Sequence, residues 1–135
     1  MSQWEIQDRY NRIEVLREKN AQLRYRISSM QDLISDAHAK RAQLADVQSQ
    51  LTTLAGCVCD CKSNSSLLRQ MASEIQELVY GGFAANAQDS IDSSSGRAQQ
   101  EIYQAEDEIR WNDTEIGRLE DEIREISAME GEGMS

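Results

Sequence analysis

The feature that most constrains the fold is a ladder of isoleucines that recurs every seventh residue near the C-terminus. A second set of mostly apolar residues follows three places after each rung, so the two sets form the a and d positions of a coiled coil. The a residues are Ile102, Ile109, Ile116 and Ile123, and the d residues are Ala105, Asn112, Leu119 and Ile126. This spacing predicts a helix that buries one stripe against a partner helix.

The flanks of that stripe are entirely acidic. The e and g positions hold Glu106, Asp113, Glu120, Glu101, Glu108, Glu115 and Glu122. Like charges at these positions repel across a coiled coil, so this helix requires a basic partner and pairs poorly with a copy of itself.

A second heptad pattern at the N-terminus supplies the basic partner. Its a positions are Ile6, Ile13, Asn20, Ile27 and Ile34, and its d positions are Leu16, Leu23, Met30, Ala37, Leu44 and Leu51. The flanking positions of its first half hold Arg17, Arg24, Arg12, Lys19 and Arg26, all of them basic. The opposite signs of the two flanks predict that the first and last helices pair within one chain.

The polar seam residues indicate the direction of that pairing. Asn20 is an a residue and Asn112 is a d residue, and a shares a layer with d only in an antiparallel pair. A buried asparagine without a polar partner is costly, which favours pairing the two. That register puts Ile13 opposite Leu119, whereas a shift of one heptad puts Asn20 beside Ala105.

These patterns predict an all-α fold, a long antiparallel coiled-coil-like hairpin with a short middle helix and a Gly-Gly break. We expect one domain over residues 1–129. The expected segments are a helix over about 3–54, a loop at 56–66, a helix at 67–79, a break at 80–83, a helix over 84–128 and a disordered tail at 130–135. The absence of proline fits long helices, and glycines at 56, 81 and 82 mark the interruptions.

Composition excludes several classes of function. The net charge of −10 opposes binding to a phosphate backbone, so we expect no nucleic-acid partner. No stretch approaches the roughly 20 apolar residues that span a bilayer, so we expect no membrane insertion. The N-terminal residues lack the basic and apolar regions of a secretory signal peptide, which predicts synthesis in the cytoplasm.

The chemistry-bearing residues give little support for catalysis. There is one histidine, no Gly-rich phosphate loop after a strand and no pairing of a nucleophile with a base, so we expect no enzyme and no cofactor. The cluster Cys57-x-Cys59-x-Cys61 is the strongest candidate for a metal or redox role. A closed zinc site needs four ligands, usually with wider spacing, so we expect no metal there.

A large aromatic residue outside the seam points instead to an interaction surface. Trp111 falls outside the a and d positions, and a two-helix hairpin covers only one stripe of each helix. A helical partner that covers a further face is therefore expected.

The segment Tyr80-Gly81-Gly82-Phe83, between a basic first helix and an acidic heptad helix, resembles that of a known family. The chain is similar to the small helical proteins encoded beside LXG toxins in Gram-positive type VII secretion loci, which are distant relatives of the WXG superfamily. The YwqH-like branch is the most similar in layout. Tyr80 and Gly82 stand where the family shows Trp-x-Gly.

The resemblance implies both an export signal and a partner. The family's signal is Tyr-x-x-x-Asp/Glu near a helix end; Tyr103 and Asp107 match it early in the final helix, and Tyr10 and Glu14 fit the same letters. The implied function is a non-enzymatic accessory protein that binds the helical N-terminal domain of an LXG-type toxin and aids its export. A second small helical protein is a further implied partner, and secretion without a signal peptide is the implied route. The candidate interaction or export residues are Tyr80, Gly82, Phe83, Tyr103, Asp107 and Trp111.

Two other hypotheses remain open at this point. The basic helix of one chain and the acidic helix of another predict a homo-oligomeric coiled-coil scaffold formed by domain swapping. The cysteine cluster alternatively suggests a thiol or metal sensor.

Overall fold

The computed structural model describes residues 2–60 and 66–133, and these residues form helices without any strand. Helix α1 (Ser2–Asp60) is one arm of a hairpin, and helices α2 (Ser66–Tyr80) and α3 (Gly82–Gly133) pack against it as the other. The predicted all-α hairpin is confirmed. The helices contribute to two compact units, which are Met1–Gln31 with Gln100–Ser135 (unit 1) and Asp32–Gln99 (unit 2).

The core of unit 1 is built from the two predicted heptad stripes. Ile13 of α1 is buried with the α3 residues Ile116, Leu119 and Ile123. Half-buried side chains at two further seam positions, Ile6 and Leu16, pack against this cluster. Ile13 and Leu119 share one cluster, as the antiparallel register predicts.

The two seam asparagines lie in the same unit and bond to each other. Nδ2 of Asn112 donates to Oδ1 of Asn20 at 2.9 Å, and Nδ2 of Asn20 donates to Oδ1 of Asp113 at 2.9 Å. The two asparagines are only 2% and 3% exposed. This contact selects the predicted register over the alternative that puts Asn20 beside Ala105.

Ion pairs follow the flanks of the seam as the charge pattern predicts. Arg17 lies 3.4 Å from Glu120, an e-to-e pair, and Arg26 lies 3.7 Å from Glu101, a g-to-g pair. These side chains are largely exposed, so each pair contributes at most about 1 kcal/mol. Their effect is mainly on which helices pair and in which direction.

In unit 2 the seam accommodates two polar a residues at its edge. Arg41 is exposed and forms an ion pair with Asp92 of α3. Gln48 is half-buried, and its Nε2 donates to the carbonyl oxygen of Val79 at 3.0 Å. Apolar packing resumes beyond them, where the α1 residues Ala55 and Leu51 contact the α2 residues Ile75 and Val79.

The bend at Gly81 resets the heptad phase of the second arm. The seam residues of α2 end at Val79 in an a position, which predicts the next d position at residue 82. The next buried residue is instead Ala84, two places later, a rotation of about 200° in a straight helix. The bend therefore lets α2 and α3 both present apolar stripes to α1.

The backbone at Gly81 leaves no room for a side chain. A Cβ atom there would lie 2.2 Å from the carbonyl oxygen of Glu77, whereas one at Gly82 would meet nothing within 4 Å. The Gly81 amide donates to that same Glu77 oxygen at 2.7 Å, and the Ala85 amide donates to the Gly81 carbonyl at 3.2 Å. The predicted break at 80–83 is thus confined to Gly81.

The predicted loop at 56–66 is wrong over its first part, because α1 continues through Gly56 to Asp60. Gly56 lowers helix propensity by about 1 kcal/mol relative to alanine. Ala55 is buried and Val58 is half-buried, so the seam packing continues across the glycine and offsets that cost. Residues 61–65 of the predicted loop lie outside the described residues.

The predicted disordered tail at 130–135 is likewise wrong over residues 130–133, which complete α3. The final helix therefore runs from Gly82 to Gly133, where the sequence predicted 84–128. Extending an existing helix adds one hydrogen bond for each residue fixed, so an end propagates easily into a weakly helical sequence. Residues 134 and 135 lie outside the described residues.

Candidate functional site

Three of the predicted interaction residues lie on the outward face of α3 in unit 1. Tyr103, Asp107 and Trp111 are spaced four residues apart, at b, f and c positions opposite the seam. Tyr103 is 59% exposed and Trp111 is 64% exposed. Asp107 is exposed between them and forms an ion pair with Arg110. We call these residues the outer aromatic face.

The other three predicted residues lie at the bend in unit 2. Tyr80 ends α2, Gly82 begins α3, and Phe83 follows it. Both aromatic side chains are more than three-quarters exposed. Gly82 has open space around its Cβ position, so the close approach in this segment depends on Gly81 and not on the predicted Gly82.

The second match to the predicted export signal lies on α1 in unit 1. Tyr10 and Glu14 are both exposed and lie within the helix, like Tyr103 and Asp107. Exposure alone therefore does not distinguish the two matches.

Charge on the g flank of unit 1 is neutralised within α3 as well as across the seam. Nε of Arg118 donates to the Glu115 carboxylate at 3.1 Å. This hydrogen bond, assisted by the positive charges of Arg118 and Arg12, holds the pKa of Glu115 below its usual value. Glu115 therefore stays ionised to a lower pH than an isolated glutamate.

The cysteine cluster begins inside α1. Cys57 is exposed and carries a free thiol, Cys59 belongs to the last turn of the helix, and Cys61 lies outside the described residues. Within residues 2–60 and 66–133, no three His, Cys, Asp or Glu side chains are placed to hold a metal ion.

None of the helices in the described part of the chain is both long and apolar enough to cross a membrane.

Unit 2 carries an exposed apolar surface of which only Phe83 was among the residues predicted from sequence. Its members are the exposed side chains at c and g positions on one side of the seam. They are Leu33, Val47, Leu54, Leu67, Met71, Leu78 and Phe83. We call this surface the apolar flank. The α1 heptad already held a signal for it, since Leu33, Val47 and Leu54 all occupy g positions.

The apolar flank could not be assembled from sequence because its second half depends on the bend. The g positions of α2 are defined by its buried residues Ala72 and Val79, which place Met71 and Leu78 on the flank. A heptad extended backward from α3 without the two-residue step assigns both to other positions.

No protein-family model matches the chain, and no curated protein or solved structure matches it.

Proposed function

We propose that this protein is a non-enzymatic accessory factor of type VII secretion that binds the helical N-terminal domain of an LXG-type toxin and aids its export. The observation that carries the proposal is the outer aromatic face. Tyr103 and Trp111 expose large rings on a helix whose opposite stripe is already occupied by α1. Exposed rings on a helical surface favour a protein partner, since aromatic side chains dominate the energetics of interfaces.

The family resemblance supplies the class of partner. A toxin domain made of long helices offers grooves in which such rings are buried, and a second small helical protein offers the same kind of surface. In this proposal the chain is made in the cytoplasm and leaves the cell with the toxin, and Tyr103 with Asp107 serves as the export signal.

Co-expression with the helical domain of the neighbouring toxin tests the binding step. We expect a complex that survives gel filtration and is weakened at least tenfold by Tyr103→Ala combined with Trp111→Ala. Tyr25→Ala is the matched control, because Tyr25 is an exposed aromatic residue on α1 of the same unit. The proposal fails if no complex forms and if deletion of the gene leaves toxin export intact.

The export signal is tested separately in the secreting cell. We expect Asp107→Ala, which leaves both aromatic rings in place, to abolish export while the complex still forms. Tyr10→Ala with Glu14→Ala tests the second match to the signal. Loss of export in that variant alone would assign the signal to α1.

A further inference from the structure

We propose that the apolar flank of unit 2 is a docking site for a cationic amphipathic helix, a partner helix whose apolar stripe is bordered by lysine or arginine. The outer aromatic face belongs to unit 1, so this is a second surface. The inference holds whether or not the partner is a toxin.

The two units differ in the residues at their g positions, and this difference is the first observation that supports the docking site. In unit 1 the g-to-g positions are charged and form pairs such as Arg26 with Glu101. In unit 2 most of the equivalent positions are apolar, with Lys40 and Ser94 as the polar exceptions. Gln48 contacts the carbonyl of Val79, so the preceding residues, Val47 and Leu78, lie at one level on the g side of the seam.

The size of the flank fits a helical ligand. Its seven side chains are between 41% and 79% exposed and together offer on the order of 700 Å², close to the roughly 800 Å² that each partner buries in a standard interface. On α1 the flank extends from Leu33 to Leu54, about 30 Å at the rise of an α-helix. A partner helix of about 21 residues spans that distance.

The flank also contains a groove that suits individual side chains. A cavity of about 360 Å³ lies between α1 and α3, with Leu33, Ala37 and Ile91 among its lining residues. Most of its exposed lining is apolar, and its polar lining residues are Asp36, Lys40, Ser90 and Ser94. Leucine or isoleucine side chains of a docked helix enter such a groove without leaving a polar group unsatisfied.

The charge around the flank selects the kind of helix. Five exposed carboxylates lie at neighbouring c and f positions, namely Asp32, Asp36, Asp46, Glu74 and Glu77. Two cations lie on the same side, Lys40 at a g position within the flank and Arg97 at a c position, and Lys40 is held 3.0 Å from Asp36. A partner with basic borders is attracted by the excess of carboxylates. A second copy of this chain brings the same acidic borders, and an anionic bilayer is repelled.

Binding of a synthetic helix tests the inference. The probe is a fluorescent peptide of about 24 residues with leucine at a and d positions and lysine at e and g positions. Its counterpart carries glutamate in place of lysine. Fluorescence anisotropy with the full chain should show the lysine peptide binding at least tenfold more tightly than the glutamate peptide.

The decisive variant removes apolar surface without touching charge. Val47→Gln with Leu78→Gln should weaken binding of the lysine peptide at least tenfold. The matched control is Val15→Gln with Met129→Gln, two exposed apolar residues of unit 1, and should change binding by less than twofold. Circular dichroism verifies that both variants fold, and glutamine is chosen because it is a good helix former.

Three outcomes overturn the inference. The first is equal binding of the lysine peptide to the wild-type chain and to the flank variant, which would make the binding purely electrostatic. The second is a wild-type dimer in sedimentation that the flank variant abolishes, which would make a second copy the occupant. The third is flank-dependent co-sedimentation with phosphatidylcholine–phosphatidylserine vesicles, which would make a bilayer the occupant. Failure of the toxin complex would leave the peptide result unchanged, so the two proposals fail independently.

Discussion

Asn112 and Asn20 face each other across the buried seam of unit 1, with Nδ2 of Asn112 donating to Oδ1 of Asn20 at 2.9 Å. The second amide hydrogen-bond donor, Nδ2 of Asn20, is used by Asp113. Within the described residues, no buried side-chain nitrogen or oxygen atom lacks a partner. A polar layer is therefore accommodated inside an apolar seam.

Replacement of one asparagine should destabilise the chain, whereas replacement of both should stabilise it. Asn112→Leu leaves Oδ1 of Asn20 buried without its donor, which costs about 1–3 kcal/mol. The Asn20→Leu, Asn112→Leu double variant removes both polar groups and fills the layer with apolar contacts. Urea unfolding measures both, and a double variant less stable than the single variant would contradict the pairing.

The same double variant should lose specificity of register. A lone polar layer in a coiled coil fixes alignment at a cost in stability. We expect spin labels on the exposed faces of α1 and α3 to give one narrow distance distribution in the wild type and a broader one in the double variant.

Charge reversal on the seam flanks should weaken the hairpin. Arg17→Glu with Arg26→Glu puts glutamates beside Glu120 and Glu101, and we expect a loss of about 1–2 kcal/mol of unfolding free energy at low salt. The loss should shrink in 1 M salt, where the Debye length is about 3 Å. Thermal unfolding at both salt concentrations measures the effect.

Arg110→Glu is the control for charge reversal, because Arg110 lies on the outward face and pairs with Asp107 of its own helix. It should cost less than either reversal at the seam. Restored stability on adding Glu120→Arg and Glu101→Arg to the double variant would establish that the pairs act across the seam.

Gly81→Ala should be the most damaging glycine substitution in the described part of the chain. The new Cβ would overlap the carbonyl oxygen of Glu77, so the bend must shift and the α2 stripe must leave its register. We expect a loss of about 1–3 kcal/mol, the usual cost of adding a methyl group where there is no room for it. Calorimetry and tryptic cleavage near the bend measure it.

Gly96→Ala provides the opposite result as a control. Gly96 lies inside α3, and a Cβ there meets nothing within 4 Å, so alanine should stabilise the helix by about 0.5–1 kcal/mol. If Gly81→Ala and Gly96→Ala changed the free energy of unfolding in the same direction, the special role of the bend would be refuted.

The pKa of Glu115 should depend on Arg118. Arg118→Gln removes the hydrogen bond that lowers this pKa, so the pKa should rise toward the usual glutamate value. The pKa of Glu115 is lower in the folded chain than in the unfolded chain. The stability that the ionised carboxylate contributes is therefore present above the pKa of the unfolded chain, and it is lost as the pH falls through the pKa of the folded chain. Carbon-13 NMR titration of the side-chain carboxyl measures the shift. Arg124→Gln, which removes the partner of Asp121, should leave Glu115 unchanged.

The pairing in unit 1 was accessible from sequence because its determinants repeat. The ladder from Ile102 to Ile123 defines a stripe, the charged flanks define the partner, and Asn20 with Asn112 defines the layer. Each is a local pattern with a period of seven, so the direction follows from the sequence and the register follows to within one heptad. The hydrogen bond between Asn112 and Asn20 then selects one of the two registers.

In unit 2 the extent of α1 and the heptad register of α2 depend on tertiary contacts that leave no repeating pattern in the sequence. The helix continues through Gly56 because Ala55 is buried and Val58 is half-buried on either side of it. Intrinsic helix propensity does not include the free energy of that burial. The phase step at Gly81 displaces the g positions of α2, which concealed the apolar flank. The exposure of Trp111 followed from its place outside the seam, but a binding role depends on a partner's surface, which this sequence does not encode.

The bend at Gly81 also separates two heptad registers, that of α2 and that of α3, along one arm of the hairpin. In an uninterrupted heptad helix, a one-residue insertion turns every later side chain by about 100° and destroys the match with the opposite arm. At Gly81 a two-residue offset is already absorbed. The connection between α2 and α3 is therefore a point at which this chain can gain or lose residues while the isoleucine ladder that pairs with α1 keeps its alignment.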